Sequence, residues 1–533
     1  MNYLRDVMSN KKPILALIIL SAVLLSLPFL VPGTGFLSLV GFVPLLLAER
    51  VAEETRMKGF FWWHYLCFLL WNAVTTFWVC NATLGGGIFA SVANAFQMSL
   101  VFSLFRWGKK RLGGAVPYLL LAFAWIAWER WYLTSAQISW PWLVLGNSFA
   151  RTTGWIQWYE FTGALGGSLW VWACNLVVFG LLMSLGSGNW KRLNKKAKAA
   201  SLIGAAALFA APPVISMFLK PDEPDGWLDV FIAQPNIDVY GKRGGLTQEE
   251  QNAILLGLLE DAPKDSATLL IAPETFTSDI IMNDISVSPT VGAFERFMAD
   301  RPLSGLLFGA STWEYLGGPS RPSKTARQLN NGSWVESHNT ALMLTGGGNI
   351  QTYHKNKLVV GVEMMPYPSV FRPIDDMLGG VMGRCVGDGK AANLVYNGIK
   401  IGCAICYESV YGEFCADYIR DGASLLTIIT NDAWWGDTPG YRQHLSYASL
   451  RAIETRRWIA RCGNTGISAI IDPSGRILDS TPWWEQTSLR GRVGLSDKET
   501  FFVRHGDFTG RICVLMFILI LCAAVVRRFT SGK

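Results

Sequence analysis

The chain has 533 residues, of which half are hydrophobic and 16% are charged. A soluble chain of this size carries charge on about a quarter of its residues, so the composition excludes an ordinary soluble protein and leaves room for several domains. The net charge of +7 does not point to nucleic acid, because the basic residues collect between apolar runs, as they do in membrane loops.

In chain order, the first element is "MNYLRDVMSNKKPILALIILSAVLLSLPFLV". Its basic start and apolar core suit a signal peptide, but no small-residue cleavage pattern follows, so it reads as a retained span. A helix needs roughly 20 apolar residues to cross a bilayer. Seven candidates lie near 14–31, 34–48, 59–80, 85–105, 115–133, 165–185 and 200–219, and an eighth near 511–526. Basic clusters alternate with neutral loops. Arg5, Lys11 and Lys12 precede the first run, and Arg50, Arg56 and Lys58 follow the second. Arg106, Lys109, Lys110 and Arg111 follow the fourth, Lys191, Arg192, Lys195, Lys196 and Lys198 the sixth, and Arg527, Arg528 and Lys533 the last. The loops "VPGTG" and "NATLGGG" carry no Lys or Arg, and the loop around 134–164 has only Arg151. The positive-inside rule then predicts cytoplasmic termini and an external segment over 221–508. The tryptophans of "SWPWLVLGNSF" and "WIQWYEF" suit interface anchors, or a lipid-facing wall above a site.

After the polar linker "KPDEPDGW" at 220–227, short β-rich runs alternate with helical stretches. "LDVFIAQPN", "ATLLIAPE", "SGLLFGAS", "TALMLTGG", "IKIGCAICYE" and "SLLTIITND" read as buried strands, and "LTQEEQNAILLGLLEDA" and "YRQHLSYASLRAIETRRWIA" as helices. The alternation implies a layered α/β domain. Three strands end in chemistry: one at Glu274, one at Cys406-Tyr407-Glu408, one at Asn431-Asp432. Ligand sites in open α/β sheets gather outside such strand ends. "YHKNKLVVGVEMMPY" adds Lys355, Lys357 and Glu363.

Cys403 and Cys406 are three apart. A redox pair normally opens a helix after a strand. Here Cys403 lies inside the strand, and two-residue alternation turns 403 and 406 to opposite faces. Zinc would need a second pair or histidines at ligand spacing, and the five histidines form no such group. Cys403 therefore reads as a small core residue and Cys406 as a nucleophile. Glu274 fits the base, Lys355 the charged oxyanion donor and the Tyr407 N–H a second donor. Arg451, Arg456, Arg457 and Arg461 read as a solvated or ion-paired face.

Strand-Pro-Glu, Tyr-x-Lys-x-x-Leu and strand-Cys-Tyr-Glu, in that order, resemble the Glu–Lys–Cys triad of the nitrilase superfamily. Seven spans, an external domain and one last span resemble the apolipoprotein N-acyltransferase family. "NDAWWGDTPGYRQHLSYASLRAIETRRWIARCGNTGISAIIDPSGRI" at 431–477 and "WPWLVLGNSF" at 140–149 resemble it too. The family often reads Leu-Val-Pro-Phe-Gly-Glu after the lysine; this chain reads Leu358-Val359-Val360-Gly361-Val362-Glu363. After "QPN" some members carry a functional tryptophan, whereas "IDVYGKRGG" has none.

The resemblance implies a multi-span helical membrane protein carrying an extracytoplasmic nitrilase-like αββα sandwich. The membrane domain would cover 1–219, the periplasmic catalytic domain 220–508, and a final helix and cytoplasmic tail 509–533. Glu274, Lys355 and Cys406 would be catalytic, with support from Glu363, Tyr407, Glu408, Trp434 and Trp435, the tryptophans gripping acyl chains. The reaction would move an acyl group, without cofactor or metal, from a phospholipid such as phosphatidylethanolamine. The acceptor would be the α-amine of an S-diacylglyceryl cysteine on an apolipoprotein. The protein would act as a monomer in the bacterial inner membrane. Two alternatives remain: a membrane-anchored nitrilase-type amidase using water, and a transporter, for which Glu129 and Arg130 are the intramembrane candidates.

Overall fold

The computed structural model describes residues 11–238, 245–318, 320, 322–377 and 382–530. Arg5, Lys533 and residues 239–244 of "IDVYGKRGG" lie outside them. Two compact units emerge, one of residues 1–136, 140–220 and 507–533, the other of 137–139 and 221–506.

The first unit is helical. Helices run over Lys11–Leu30, Val43–Glu54, Phe61–Thr76, Leu84–Lys109, Val116–Thr134, Tyr159–Gly186, Lys195–Phe218 and Phe508–Thr530. Among the described residues six segments are long and apolar enough to cross a membrane: 12–30, 35–54, 84–109, 159–186, 195–218 and 508–530. The expected span near 59–80 is interrupted. Its helix stops at Thr76, and Thr83 caps the next one by accepting from the Gly86 N–H. Sixteen helical residues rise about 24 Å, short of a bilayer core of about 30 Å. The segment 35–54 is broken too, into a short 3-10 turn and a helix. Asn175 mends the break, accepting from the Phe42 N–H at 2.7 Å and donating to the Ser38 carbonyl at 2.8 Å. Backbone polar groups freed in an apolar medium need such partners.

The "WPWLVLGNSF" segment is folded into this unit. Trp142, Leu143, Leu145 and Phe149 are buried, and Trp142 packs edge-on against Trp78 at 4.8 Å. Reading Trp142 as an interface anchor or lipid-facing wall is thus corrected. Glu129 Oε1 holds the segment, accepting from the Leu145 N–H at 2.8 Å and the Trp125 indole at 3.1 Å. Arg130 pairs with Asp507 at 3.1 Å. Both transporter candidates therefore have structural partners.

The second unit contains fourteen strands among the described residues. They are β1 (Gly226–Gln234), β2 (Thr268–Ile271), β3 (Thr277–Ile281), β4 (Gly305–Leu316), β5 (Arg327–Gln328), β6 (Trp334–Thr345), β7 (Ile350–His354), β8 (Asn393–Tyr396), β9 (Ile399–Ile405), β10 (Leu425–Thr430), β11 (Ile459–Gly463), β12 (Ala469–Ile471), β13 (Ile477–Ser480) and β14 (Thr487–Leu495). One sheet runs β14-β1-β2-β4-β6-β5, with β3 on β4 and β7 on β6; the other runs β13-β12-β11-β10-β9-β8. The sheets face each other. Cys462 of β11 reaches the carbonyls of Ala233 and Ile271 at 3.3 and 3.6 Å, and Tyr396 of β8 donates to the Leu303 carbonyl at 2.6 Å. Alternate residues of the first sheet, Phe231, Ala233, Leu270, Ala272, Leu306 and Phe308, instead pack on the helices Gln248–Leu259 and Pro289–Ala299. Burial on both faces explains why these strands read as unbroken apolar runs. The helices Gly412–Arg420 and Pro439–Thr455 belong to the second sheet's half: the Gly402 Cα of β9 lies against Tyr418, whose hydroxyl donates to the Cys403 carbonyl at 3.0 Å.

The helix expected over 441–460 ends at Thr455, because Arg456 turns left-handed at φ 50° and β11 starts at Ile459. Arg451, Arg457 and Arg461 are buried, which corrects the solvated alternative of the solvated-or-ion-paired reading, while Arg451 and Arg461 keep ion pairs. Arg457 donates to the carbonyls of Ala423 and Lys498, Arg451 pairs with Glu454 at 3.0 Å, and Arg461 pairs with Asp432 at 2.5 Å.

Candidate active site

The parallel strands β1, β2 and β4 and the parallel strands β9, β10 and β11 end close together. The Asn236 N–H, just after β1, donates to the Asn464 carbonyl, just after β11, at 2.9 Å. The Asn431 N–H, after β10, donates to Glu274 Oε2, after β2, at 3.1 Å. Both sheets thus deliver their carboxyl ends to one edge.

Glu274 stands on a turn that β4 holds from the side. Gly309 N–H donates to the Pro273 carbonyl at 3.0 Å, and Phe276 N–H donates to the Gly309 carbonyl at 2.9 Å. A Cβ on Gly309 would lie 2.6 Å from Glu274 Cα, so only glycine permits this approach. Lys355 follows β7, and its N–H donates to the Asn339 carbonyl of β6 at 2.8 Å. Its buried Nζ sits 3.0 Å from Glu274 Oε1 and 2.9 Å from Glu363 Oε1. Asn339 Nδ2 bridges the same two oxygens at 2.7 and 2.8 Å. Glu363 Oε2 in turn accepts from the Val359 N–H at 2.7 Å. The altered loop before Glu363 still delivers its carboxylate to the lysine.

Cys406 follows β9 and adopts φ 50°, a left-handed conformation that strains a residue with a Cβ. Strain of this kind gathers at active sites. Cys403 lies wholly buried within β9. Burial pushes the Cys406 thiol well above its ordinary range, and Glu274 adds to this, while Lys355 opposes it. Burial by itself would lower the Lys355 ammonium; the charges of Glu274, Glu363 and a Cys406 thiolate override it and raise it well above the usual value. Lys355 is therefore a fixed cation beside a resting thiol. Lys357 differs: burial lowers it, and its ammonium lies over the rings of Tyr411 and Phe414.

Glu408 is wholly buried. Its Oε1 accepts from the Asn356 N–H at 2.7 Å and the Tyr353 hydroxyl at 2.8 Å, and its Oε2 accepts from the Ile405 N–H at 2.9 Å, with the Tyr418 hydroxyl oxygen 3.2 Å away. One carboxylate thus ties the lysine segment to the cysteine turn. Tyr407 is buried and stacks edge-on against Tyr411 at 5.2 Å. Trp434 is 42% exposed and lines a cavity of about 500 Å³ with Glu274, Asn236, Asn431 and Asn464. Trp435 instead packs edge-on against His444 at 5.5 Å.

Asp432 was marked at its strand end without a role, whereas Asn339, His444 and Arg461 were missed as site residues. Asn339 and Arg461 sit in apolar strands where no motif marks them, and His444 is separated from Cys406 by 38 residues. The one available signal was a buried-strand pattern interrupted by a polar side chain. Among the described residues no group of three or more His, Cys, Asp or Glu is arranged to hold a metal.

Residues 187–497 match the carbon-nitrogen hydrolase family model, and residues 21–177 match the apolipoprotein N-acyltransferase N-terminal domain. The chain is 30% identical to an apolipoprotein N-acyltransferase of Chlorobaculum tepidum, over 92% of each chain. It is 29% identical to one of Geobacter metallireducens, over 96% of this chain and 95% of that one. Among solved structures, a CN-hydrolase superfamily protein from Xanthomonas campestris is similar at 19% identity and a TM-score of 0.34, covering 50% of this chain and 91% of that one.

Proposed function

We propose how this chain, which belongs to the apolipoprotein N-acyltransferase family of the carbon-nitrogen hydrolases, carries out its acyl transfer. It is a membrane acyltransferase with a nitrilase-fold domain, and it N-acylates the S-diacylglyceryl cysteine of apolipoproteins, the last step of bacterial lipoprotein maturation. In our reading Glu274, Lys355 and Cys406 are the catalytic residues. The observation that carries this is the Lys355 Nζ held 3.0 Å from Glu274 beside the strained Cys406 turn.

Glu274 takes the thiol proton, and Cys406 Sγ attacks the carbonyl carbon of a phospholipid ester, phosphatidylethanolamine being the expected donor. Lys355 and the Tyr407 N–H stabilise the oxyanion. The C–O bond breaks, the lysophospholipid oxygen leaves with the proton from Glu274, and a thioester remains. The acceptor amine then attacks; its proton passes to Glu274, the C–S bond breaks, and the proton returns to sulfur. This is ping-pong acyl transfer. A lysine locked between two carboxylates cannot act as the base, which leaves that part to Glu274. Glu363 and Glu408 position the triad, and Trp434, exposed on the cavity, is better sited for acyl-chain contact than Trp435. We further assign 1–219 and 509–533 to the membrane, 220–508 to the periplasm, both termini to the cytoplasm, and a monomeric state; the alternating basic clusters support this orientation.

Intact-mass measurement tests the route. Phospholipid without acceptor should leave an acyl increment on Cys406, which a diacylglyceryl-cysteine peptide with a free amine discharges, whereas an N-acetylated one does not. Release of only free fatty acid in the presence of the free-amine peptide would instead make the protein a hydrolase.

A further inference from the structure

His444 lies on the helix Pro439–Thr455, directly behind the nucleophile's backbone. Its Nε2 is 3.1 Å from the Cys406 carbonyl oxygen, and its Nδ1 is 3.0 Å from Asp432 Oδ1. Asp432 gives its other oxygen to Arg461. All three side chains are buried. Burial would by itself raise the Asp432 carboxyl, but Arg461 and His444 override it and hold the group well below its ordinary range. The Cys406 carbonyl oxygen only accepts, and the Ser409 hydroxyl gives its one proton to that oxygen, so Nε2, 3.0 Å from Ser409 Oγ and 3.1 Å from the carbonyl, is placed to donate its N–H to them. Ser409 Oγ donates to the same Cys406 carbonyl at 2.7 Å.

That carbonyl and the Tyr407 N–H belong to one rigid peptide unit. Donors on the oxygen fix its plane and polarise the N–H at the other end. We propose that His444, backed by Asp432 and Arg461, is a positioning residue that sets the Cys406–Tyr407 peptide so that its N–H receives the developing oxyanion. This deepens the thioester reading above and rests on it. It also gives the strained left-handed Cys406 a restraint: two donors on its carbonyl hold the peptide in the one orientation that aims the N–H at the reacting carbon's oxygen.

The test uses the full-length enzyme in detergent with phosphatidylethanolamine carrying a ¹³C-labelled acyl carbonyl. Acyl-adduct formation is followed by intact mass, and the thioester carbonyl stretch by infrared difference spectroscopy. His444→Ala should slow adduct formation about 10²-fold, the order expected for a misplaced oxyanion donor, at an unchanged half-saturating phospholipid concentration. The thioester stretch should move to higher frequency, a change that a merely structural defect does not produce. His444→Gln, whose amide N–H takes the place of Nε2–H, should recover most of the rate and the frequency. Wild-type rate and frequency in a folded His444→Ala overturns the proposal. So does a His444→Gln as slow as His444→Ala when both melt like the wild type. Where His444→Ala does not fold, Ser409→Ala and His444→Gln carry the test: each should retain adduct formation within about tenfold and the pair together should lose more than either, and strict independence from both changes overturns the proposal. A wild-type enzyme that forms no adduct at all overturns the thioester reading itself, and this inference with it.

Discussion

The chemistry of the site turns on single side chains whose neighbours leave them one task each. Cys403 and Cys406 are three residues apart but differ in environment: one is sealed within β9 and the other, just past its end, sits at a strained turn beside Glu274 and Lys355. Cys406→Ser should lose acyl transfer to a diacylated lipopeptide, while Cys403→Ser should keep most of it; a folded Cys403→Ser as dead as Cys406→Ser would remove the single-nucleophile reading. Glu408 makes a sharper case. Each of its carboxylate oxygens accepts a backbone N–H, from Asn356 and from Ile405. An amide in its place must turn its NH₂ toward one of those donors whichever way it is flipped. Glu408→Gln should therefore cost about 1–3 kcal/mol of stability, the usual size of a buried unsatisfied donor, and lower the melting temperature measured by differential scanning calorimetry. A change of melting temperature within error would show that the pocket relaxes around the amide.

Elements matter here through the way strands and helices bring these residues within reach. β4 presses on the turn after β2, and Gly309 is the contact. Gly309→Ala places a methyl against backbone, 2.6 Å from Glu274 Cα and 2.8 Å from the Pro273 carbonyl, and backbone does not yield as a flexible side chain does. The turn must move, and a general base displaced by about 1 Å can cost on the order of 10²-fold in rate. Steady-state assay with the melting temperature held in view checks this: a fully active variant would show that Glu274 does not need its position. The Asp432–Arg461 pair joins the end of β10 to β11. The Asp432 carboxyl lies below its ordinary value of 3.8 in the folded chain. A depressed carboxyl contributes stability that is present above the unfolded value and is lost as pH falls through the folded one. Denaturant unfolding between pH 7 and pH 3 should therefore show wild-type stability holding to about pH 4 and falling below it, with the fall reduced in Asp432→Asn. Equal slopes for the two proteins would remove this pair from the acid response.

On the scale of the whole molecule, a helical unit and a nitrilase-fold unit are joined in one chain, and the reaction proposed above gives a chemical reason: its acyl donor and its acceptor are both lipids. Each buried methylene of an acyl chain contributes about 0.8 kcal/mol to retention at a membrane, so an enzyme that stays in the bilayer meets its substrates at high local concentration. The proposed orientation rests on the basic clusters. A membrane-impermeant thiol reagent applied to spheroplasts should label Asn331→Cys above the wild-type background and leave Leu193→Cys at background. The reverse pattern would invert the topology.

The sequence by itself determined the class of fold, the strand ends that carry Glu274, Cys406 and Asn431, and the lysine at the Tyr-x-Lys step, because these signals are local. An apolar run bounded by turn residues, or a chemical residue just past a strand, is visible within about ten positions. It also determined the family, through motifs spread in a fixed order along the chain. Tertiary structure alone decided what surrounds them. Asn339, His444 and Arg461 join the site from strands and a helix far away in sequence. The arginines of "LRAIETRRWIAR" are drawn inward by carbonyls and carboxylates of other elements, against their usual preference for water. Where the helix at 439–455 gives way to β11, propensity favoured continuing, but the left-handed turn at Arg456 and the ladder to β10 prevailed. Likewise Trp142, amphipathic enough for a membrane interface, was claimed by packing against Trp78, in a segment that Glu129 ties down at Leu145. A polar side chain's place depends on which partners fold around it, and those partners are set only when distant segments meet.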